Sequence, residues 1–256
     1  MTTTQKMSST VLKAFAILDL VASKEDRGIS LTTVSEELGT SVSTAHRYLI
    51  TLETLGAVER DDSGRFLLGT KLIELAGAYL RDHSLQGASE PFLDQLAQET
   101  GETAHLAVPS GGEVVYIAKI DSKHSVQMSS KIGGRMPMCC TALGKSILAH
   151  SSDRLDKTVR GGLEPRTPHT LTSPEALREE LEEVRAKGYA IDNEENELGV
   201  RCVGAPVFDH RGRVVGAISV SGPSSRVSRK QAVNWGPLVR ETALKISRRM
   251  GYPERE

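Results

Sequence analysis

Several things are scarce in this 256-residue chain, and each scarcity removes a class of function. No stretch approaches the roughly 18 consecutive apolar residues of a membrane-spanning helix. The first ten residues, MTTTQKMSST, lack the charged and then apolar segments of a secretory signal. The expectation is a cytoplasmic protein with no membrane partner. The three cysteines, Cys139, Cys140 and Cys202, do not make a disulfide framework and fit a reducing compartment. No Cys-x-x-Cys pair, no His-x-x-x-His pair, no phosphate-cradling glycine loop and no Ser/His/Asp order occurs. Acid pairs such as Glu182-Glu183 and Glu194-Glu195 read as surface. No catalytic residue, metal ligand or cofactor is therefore assigned, and the expectation is that the protein is not an enzyme. Excess positive charge is missing too: a net charge of −1 argues against wholesale coating of nucleic acid.

What is present is organised around Leu31–Leu55, LTTVSEELGTSVSTAHRYLITLETL. Leu31, Val34 and Leu38 recur at helical spacing behind Ser30, a good N-cap. Gly39 ends that helix, because a residue without Cβ takes the left-handed conformation a tight turn needs. Thr40 or Ser41 starts a second helix, whose apolar positions are Val42, Ala45, Leu49 and Leu52. Its other face carries Ser41, Ser43, Thr44, His46, Arg47 and Tyr48, with hydroxyls and a guanidinium suited to bases and phosphates. This is a helix-turn-helix pattern.

The surrounding segments complete it. Met7–Ala22 predicts a first helix with a stripe of Val11, Phe15, Leu18 and Ala22. AVERDDSGRFLLG after Gly56 predicts a hairpin turning at Asp61–Gly64, a wing bearing Arg60 and Arg65. Residues 1–70 hold seven Lys or Arg against nine Asp or Glu. A DNA-contacting face is usually basic, but no acid lies between Thr40 and Leu52. Modest, salt-sensitive affinity per copy, raised by oligomerisation, is the consequence. Lys71–Arg81 predicts a linking helix, so the expected division is 1–70, 71–83 and 84–256.

Beyond residue 84 the periodicity turns to strands. A helix over Pro91–Thr100 precedes strands in ETAHLAVP, EVVYIAKID and SVQMSSKI. GGRMPMCCTALGKSILAH reads as a loop running into a helix. Ser173-Pro174 opens a long helix that ends at Gly188. YAIDNEE, RCVGAPVFD and VVGAISVSG are further strands, and a last helix over Ser228–Met250 should kink or split at Gly236-Pro237. The fold class is α+β, with an antiparallel sheet carrying its helices on one side.

Three stretches in this order, STAHRYLITLETLGAVER, GRMPMCCTALGKSILA and DNEENELGVRCVGAPVFD followed by AISVSGP, resemble the IclR family of bacterial transcriptional regulators over nearly the whole chain. The resemblance implies an N-terminal winged helix-turn-helix, a linker helix and a C-terminal domain similar to GAF and PAS sensor folds. It implies homodimers or dimers of dimers on double-stranded DNA, with affinity set by a small molecule. The family often has lysine where this chain has Val42.

Two candidate sites follow. For a palindromic operator the contacts are Ser41, Ser43, Thr44, His46, Arg47, Tyr48, Arg60 and Arg65. For a ligand, the loop-to-helix junction at Thr141–Gly144 offers free amides that suit a carboxylate. The resemblance adds the amides of Ala142 and Leu143, the side chains of Asp192, Cys202, Ser219 and Ser221, and an apolar wall at Met128. Asp192 would accept a ligand hydroxyl. Ser219 and Ser221 alternate along one strand face, so both can enter one cavity. This polar set suits a keto- or hydroxy-acid, sugar-derived in one version, as effector of a repressor. Arg135, Lys145 and Arg201 are read either as anion attractors or as structural ion pairs. A rival reading uses Cys139, Cys140 and Cys202 to sense oxidant or metal, or as a GAF-type thiol enzyme.

Overall fold

The computed structural model describes residues 8–24, 28–75, 84–125 and 127–253. The chain divides into two compact units, Met1–Asp82 and His83–Glu256.

In the first unit, α1 (Ser9–Ala22), α2 (Leu31–Glu37) and α3 (Val42–Thr54) precede a two-stranded antiparallel ribbon of β1 (Val58–Arg60) and β2 (Phe66–Leu68). Ser30 caps α2 by accepting from Thr33 N, and Gly39 sits at φ 58° in the turn. The core joins Ile17, Val21, Ile29, Val34, Ala45, Leu49, Leu52, Val58 and Phe66. Two expected apolar positions differ. Val11 and Phe15 of α1 are 55% and 62% exposed, and the buried face is instead Ile17 and Val21. Both stripes fit helical spacing, and contact with α3 and β2 selects the second. Val42 is 51% exposed, because α3 reaches the core only from Ala45 onward. Residues 71–75 are helical; the rest of the expected linker helix lies outside the described residues.

The second unit is a six-stranded antiparallel sheet. Its strands are β3 (Thr103–Ser110), β4 (Glu113–Ile120), β5 (Arg135–Pro137), β6 (Ala190–Asn193), β7 (Val200–Phe208) and β8 (Val214–Pro223), in the order β5-β4-β3-β8-β7-β6. Helices lie on both faces, not one. Strand alternation explains this: Val203, Ala205, Val207, Ile218 and Val220 meet α4 (Leu85–Thr100) and α8 (Arg229–Arg249). The opposite face, with Ala107, Val114, Ala190 and Ala217, meets α5 (Ala142–Leu148), α6 (Ser152–Gly161) and α7 (Pro174–Lys187). Both faces of the central strands are therefore buried.

Local differences have local causes. SVQMSSKI forms no strand among its described residues; β4 pairs instead with Arg135–Pro137, inside the expected loop. Lys119 Nζ donates to the carbonyls of Met128 and Ser130, at 2.9 and 2.8 Å, in place of a ladder. Helix α4 begins at a Ser84 cap and runs through Pro91, six residues before the expected start. Helix α8 is continuous through Pro237; the carbonyl of Val233 loses its donor there, on a side of the helix where Val233 is 48% exposed. Its neighbour Gly236 lets α8 approach Tyr189, whose ring would stand 2.2 Å from a Cβ. No helix among the described residues is long and apolar enough to cross a membrane.

Close approach also fixes α5. A Cβ on Gly144 would fall 2.3 Å from Met138 Cα and from its carbonyl oxygen. Gly144→Ala should therefore destabilise the protein by about 1–3 kcal/mol, as overpacking against rigid surroundings does. Urea denaturation followed by circular dichroism checks this, and an unchanged midpoint would contradict the packing described.

Candidate functional site

In the first unit the presented surface is the outer face of α3. Ser41 is its N-cap: its Oγ accepts from Thr44 N at 3.3 Å and lies 3.1 Å from Ser43 Oγ and 2.9 Å from Thr44 Oγ1. Part of the Ser41 and Thr44 hydroxyl capacity is thus spent inside the helix start. Ser43, His46 and Arg47 are exposed, and Val42 and Ile50 are exposed with them. Tyr48 is half-buried and packs against the core. The wing arginines are tethered. Arg60 pairs with Glu53 at 3.2 Å and lies 4.7 Å over the Phe66 ring, while Arg65 donates twice to the Gly28 carbonyl at 3.3 and 3.1 Å. Exposed pairs such as Arg60–Glu53 contribute little, so a phosphate can displace the carboxylate at small cost.

In the second unit a cavity of about 280 Å³ is lined by all seven ligand candidates: Met128, Ala142, Leu143, Asp192, Cys202, Ser219 and Ser221. Larger depressions of 460 and 620 Å³ contain none of them. Register explains the convergence. Asp192 lies opposite Cys202, and Cys202 opposite Ser221, so one rung of β6, β7 and β8 sends all three toward α5. Ser219 stands opposite Gly204 on the next rung, and Gly204 admits α5: its Cβ would be 2.9 Å from Ala142 backbone atoms. Thr141 caps α5, accepting from Gly144 N at 3.1 Å and donating to the Pro137 carbonyl at 2.7 Å. With only seven residues, α5 contributes oriented amides more than a large dipole.

The electrostatics differ from an ordinary acidic pocket. Asp192 Oδ1 accepts from the amides of Glu195 and Asn196, at 2.8 and 3.4 Å. Burial, reinforced by the Glu195 charge, nevertheless pushes the Asp192 carboxyl up from 3.8 to about 7. Burial likewise raises the Cys202 thiol and the Tyr116 phenol. Lys145 is fully buried, with Nζ 2.6 Å from Glu195 Oε1 and 2.8 Å from Glu180 Oε1. It is a structural pair, not an anion attractor. Glu195, expected at the surface, is 6% exposed for the same reason. Arg201 is structural too: it meets Glu194 at 2.8 Å, Asn193 at 2.8 Å and the Val227 carbonyl. Arg135 pairs with Glu113 at 2.6 Å while its residue edges the cavity.

Cys139 and Cys140 are buried, and Cys139 lines a separate depression beside Arg166. Hydrogen bonding from Cys140 holds the Cys139 thiol down at about 7, while that bond and burial push Cys140 up. Among the described residues no group of three or more His, Cys, Asp or Glu is placed to hold a metal ion. The cavity also contains His105 and Tyr116, which sequence reasoning missed. The alternation of ETAHLAVP could have flagged His105, since it shares a strand face with Thr103.

The family model described as IclR helix-turn-helix domain matches residues 10–62, and the one described as bacterial transcriptional regulator IclR C-terminal matches 77–248. The chain belongs to the IclR family. The regulator KdgR of Escherichia coli is 39% identical over 247 residues, covering 95% of this chain and 93% of that one. The regulator XynR of the same organism is 37% identical over 246 residues, at 95% and 97%. The crystal structure of Thermotoga maritima IclR, 39% identical, superposes with a TM-score of 0.63 over 95% of this chain and 99% of its own. This IclR-family protein is therefore a bacterial transcriptional regulator with a DNA-binding helix-turn-helix and an effector-binding C-terminal domain. Its relatives are regulators rather than enzymes.

The raised carboxyl has a measurable consequence. Between about pH 4 and about pH 7 the folded protein holds a proton on Asp192 that the unfolded chain releases. This group's contribution to stability therefore falls as pH rises through that window and levels off above it. Asp192→Asn should flatten that part of the melting-temperature profile between pH 4.5 and 8; an unchanged slope would show that Asp192 titrates normally.

Proposed function

We propose that this regulator binds a palindromic operator in the cytoplasm as a homodimer or a dimer of dimers. The outer face of α3 enters the major groove and the wing lies on the backbone. Ser43, His46 and Arg47 are the exposed contacts, with Ser41, Thr44 and Tyr48 at the edges and Arg60 and Arg65 toward phosphate. Val42 adds an apolar surface, matched in DNA by a thymine methyl. Relatives that carry the word repressor in their names support repression as the sign of control.

The effector is a small hydroxy- or keto-acid. Its carboxylate meets the amides of Ala142 and Leu143, and its hydroxyl or carbonyl oxygens meet Asp192, Cys202, Ser219 and Ser221, with Met128 as the apolar wall. The observation that supports this most is the convergence of all seven positions on one cavity. The division into residues 1–70, 71–83 and 84–256 assigns output, linker and input. Effector changes operator affinity only to the extent that it prefers one arrangement of the copies over another.

Calorimetric titration of the full chain with a panel of hydroxy- and keto-acids tests the input. Asp192→Ala and Ser221→Ala should each weaken the best ligand at least tenfold, about 1.4 kcal/mol, without changing ligand-free operator binding. Unaltered ligand affinity would overturn the pocket. For the output, Arg47→Ala should weaken operator binding by about 1–3 kcal/mol; unchanged retardation on a gel would overturn the DNA face.

A further inference from the structure

One wall of the cavity is not explained by the positions already assigned. His105 of β3 lines it and is 1% exposed. Its Nε2 lies 2.7 Å from Ser130 Oγ and its ring packs on Tyr116 with centroids 4.8 Å apart. Its Nδ1 is buried with no hydrogen-bond partner among the described residues. A buried polar atom left unpaired forfeits its hydration without recompense. The neighbouring segment is nonetheless fastened there, by Lys119 Nζ donating to the carbonyls of Met128 and Ser130.

Burial, with the Lys119 charge adding to it, drives the imidazole pKa down to about 3, so the ring is neutral at physiological pH. A neutral imidazole has one donor and one acceptor nitrogen. With Nε2 committed to Ser130, Nδ1 is the donor in one tautomer and the acceptor in the other. A hydroxyl can satisfy both, whereas a carboxylate can satisfy only the donor and finds no opposite charge on the ring.

We infer that His105 contacts the effector, bonding a ligand hydroxyl at the end of the cavity away from Asp192, and that the effector is a polyhydroxylated acid of about five or six carbons. This rests on reading the cavity as the effector site. Asp192, Cys202 and Ser221 share one rung of the sheet, and Ser219 and His105 share the next. From β6 to β3 is three strand spacings, about 14 Å across the sheet. Asp192 and His105 line the same cavity from strands three places apart and from successive rungs, so a three-carbon acid held at Asp192 leaves His105 unmet. A longer chain carries hydroxyls past Ser219 to Nδ1.

Calorimetry and thermal shift on the full chain test this with pyruvate and lactate against gluconate, galacturonate and 2-ketogluconate. At least one long acid should bind at least tenfold tighter than either short one. His105→Phe should remove at least tenfold of that advantage, leave the short acids within twofold, and melt without ligand at or above the parent temperature, since the unpaired atom is gone. His105→Gln, which keeps a polar end, should restore part of the long-acid affinity. Short acids binding as tightly as long ones, or a His105→Phe variant with its preference intact, would overturn the inference while leaving the cavity assignment standing. If no acid of either length binds, the effector-site reading fails and the His105 role fails with it.

Discussion

A fully buried ammonium group holds the sensing unit's pocket in shape. Desolvation alone would strip the proton from Lys145, but the Glu195 and Glu180 carboxylates outweigh it and hold its pKa above the ordinary value. The three groups join α5, α7 and the turn after β6. Glu195 Oε1 also accepts from Asn193 N at 3.3 Å, and Glu195 N donates to Asp192 Oδ1. The cavity-lining carboxyl of Asp192 is thus one hydrogen bond from the buried pair. Removing a single member of such a pair leaves an uncompensated charge, at a cost of about 3–5 kcal/mol. The pocket's shape and the charge network are one structure.

That arrangement suits a sensor. Asp192 sits near the point where it is half-ionised at neutral pH, and three groups lining the same cavity are neutral, a raised Cys202 thiol, a raised Tyr116 phenol and an uncharged His105, while Lys131, Arg135 and Glu197 lie in its wall. Neutral hydroxyl, thiol and imidazole groups are the partners that the hydroxy-acid proposed above would need.

Much of this was legible in the residues because local chemistry wrote it. Ser30, Gly39, Ser41, Ser173 and Gly188 mark helix ends by capping and by left-handed backbone, and the structure keeps each of them. Alternation in AISVSGP places Ser219 and Ser221 on one face, and pairing across β7 and β8 sets Cys202, expected from the family resemblance alone, beside Ser221. What failed depended on tertiary contact. The choice between two apolar stripes on α1, the exposure of Val42, and the helices on both sheet faces follow from packing partners that periodicity does not name. Helix α6 has no fully buried residue and meets the core only through Leu155 and Val159, one turn apart, a stripe too short to stand out. A helix start at Pro91 and a kink or split at Pro237 are expected from proline alone, but both helices run through it because a lost hydrogen bond is tolerated there. Burial of Glu195 is not legible because its neighbours Asn193, Glu194 and Asn196 are all polar, whereas His105 lies in an alternating strand that does signal an inward face.

Linkage between the two ends of the protein is the central claim, and it is reciprocal by thermodynamic necessity. The most direct measurement titrates the tightest-binding acid into the full chain, free and saturated with operator duplex, beside an operator titration with and without that acid. The prediction is that the acid's affinity changes on operator binding by the same factor by which the operator's affinity changes on acid binding. An acid that binds in the cavity with identical affinity in both states would contradict the claim that this pocket controls DNA binding.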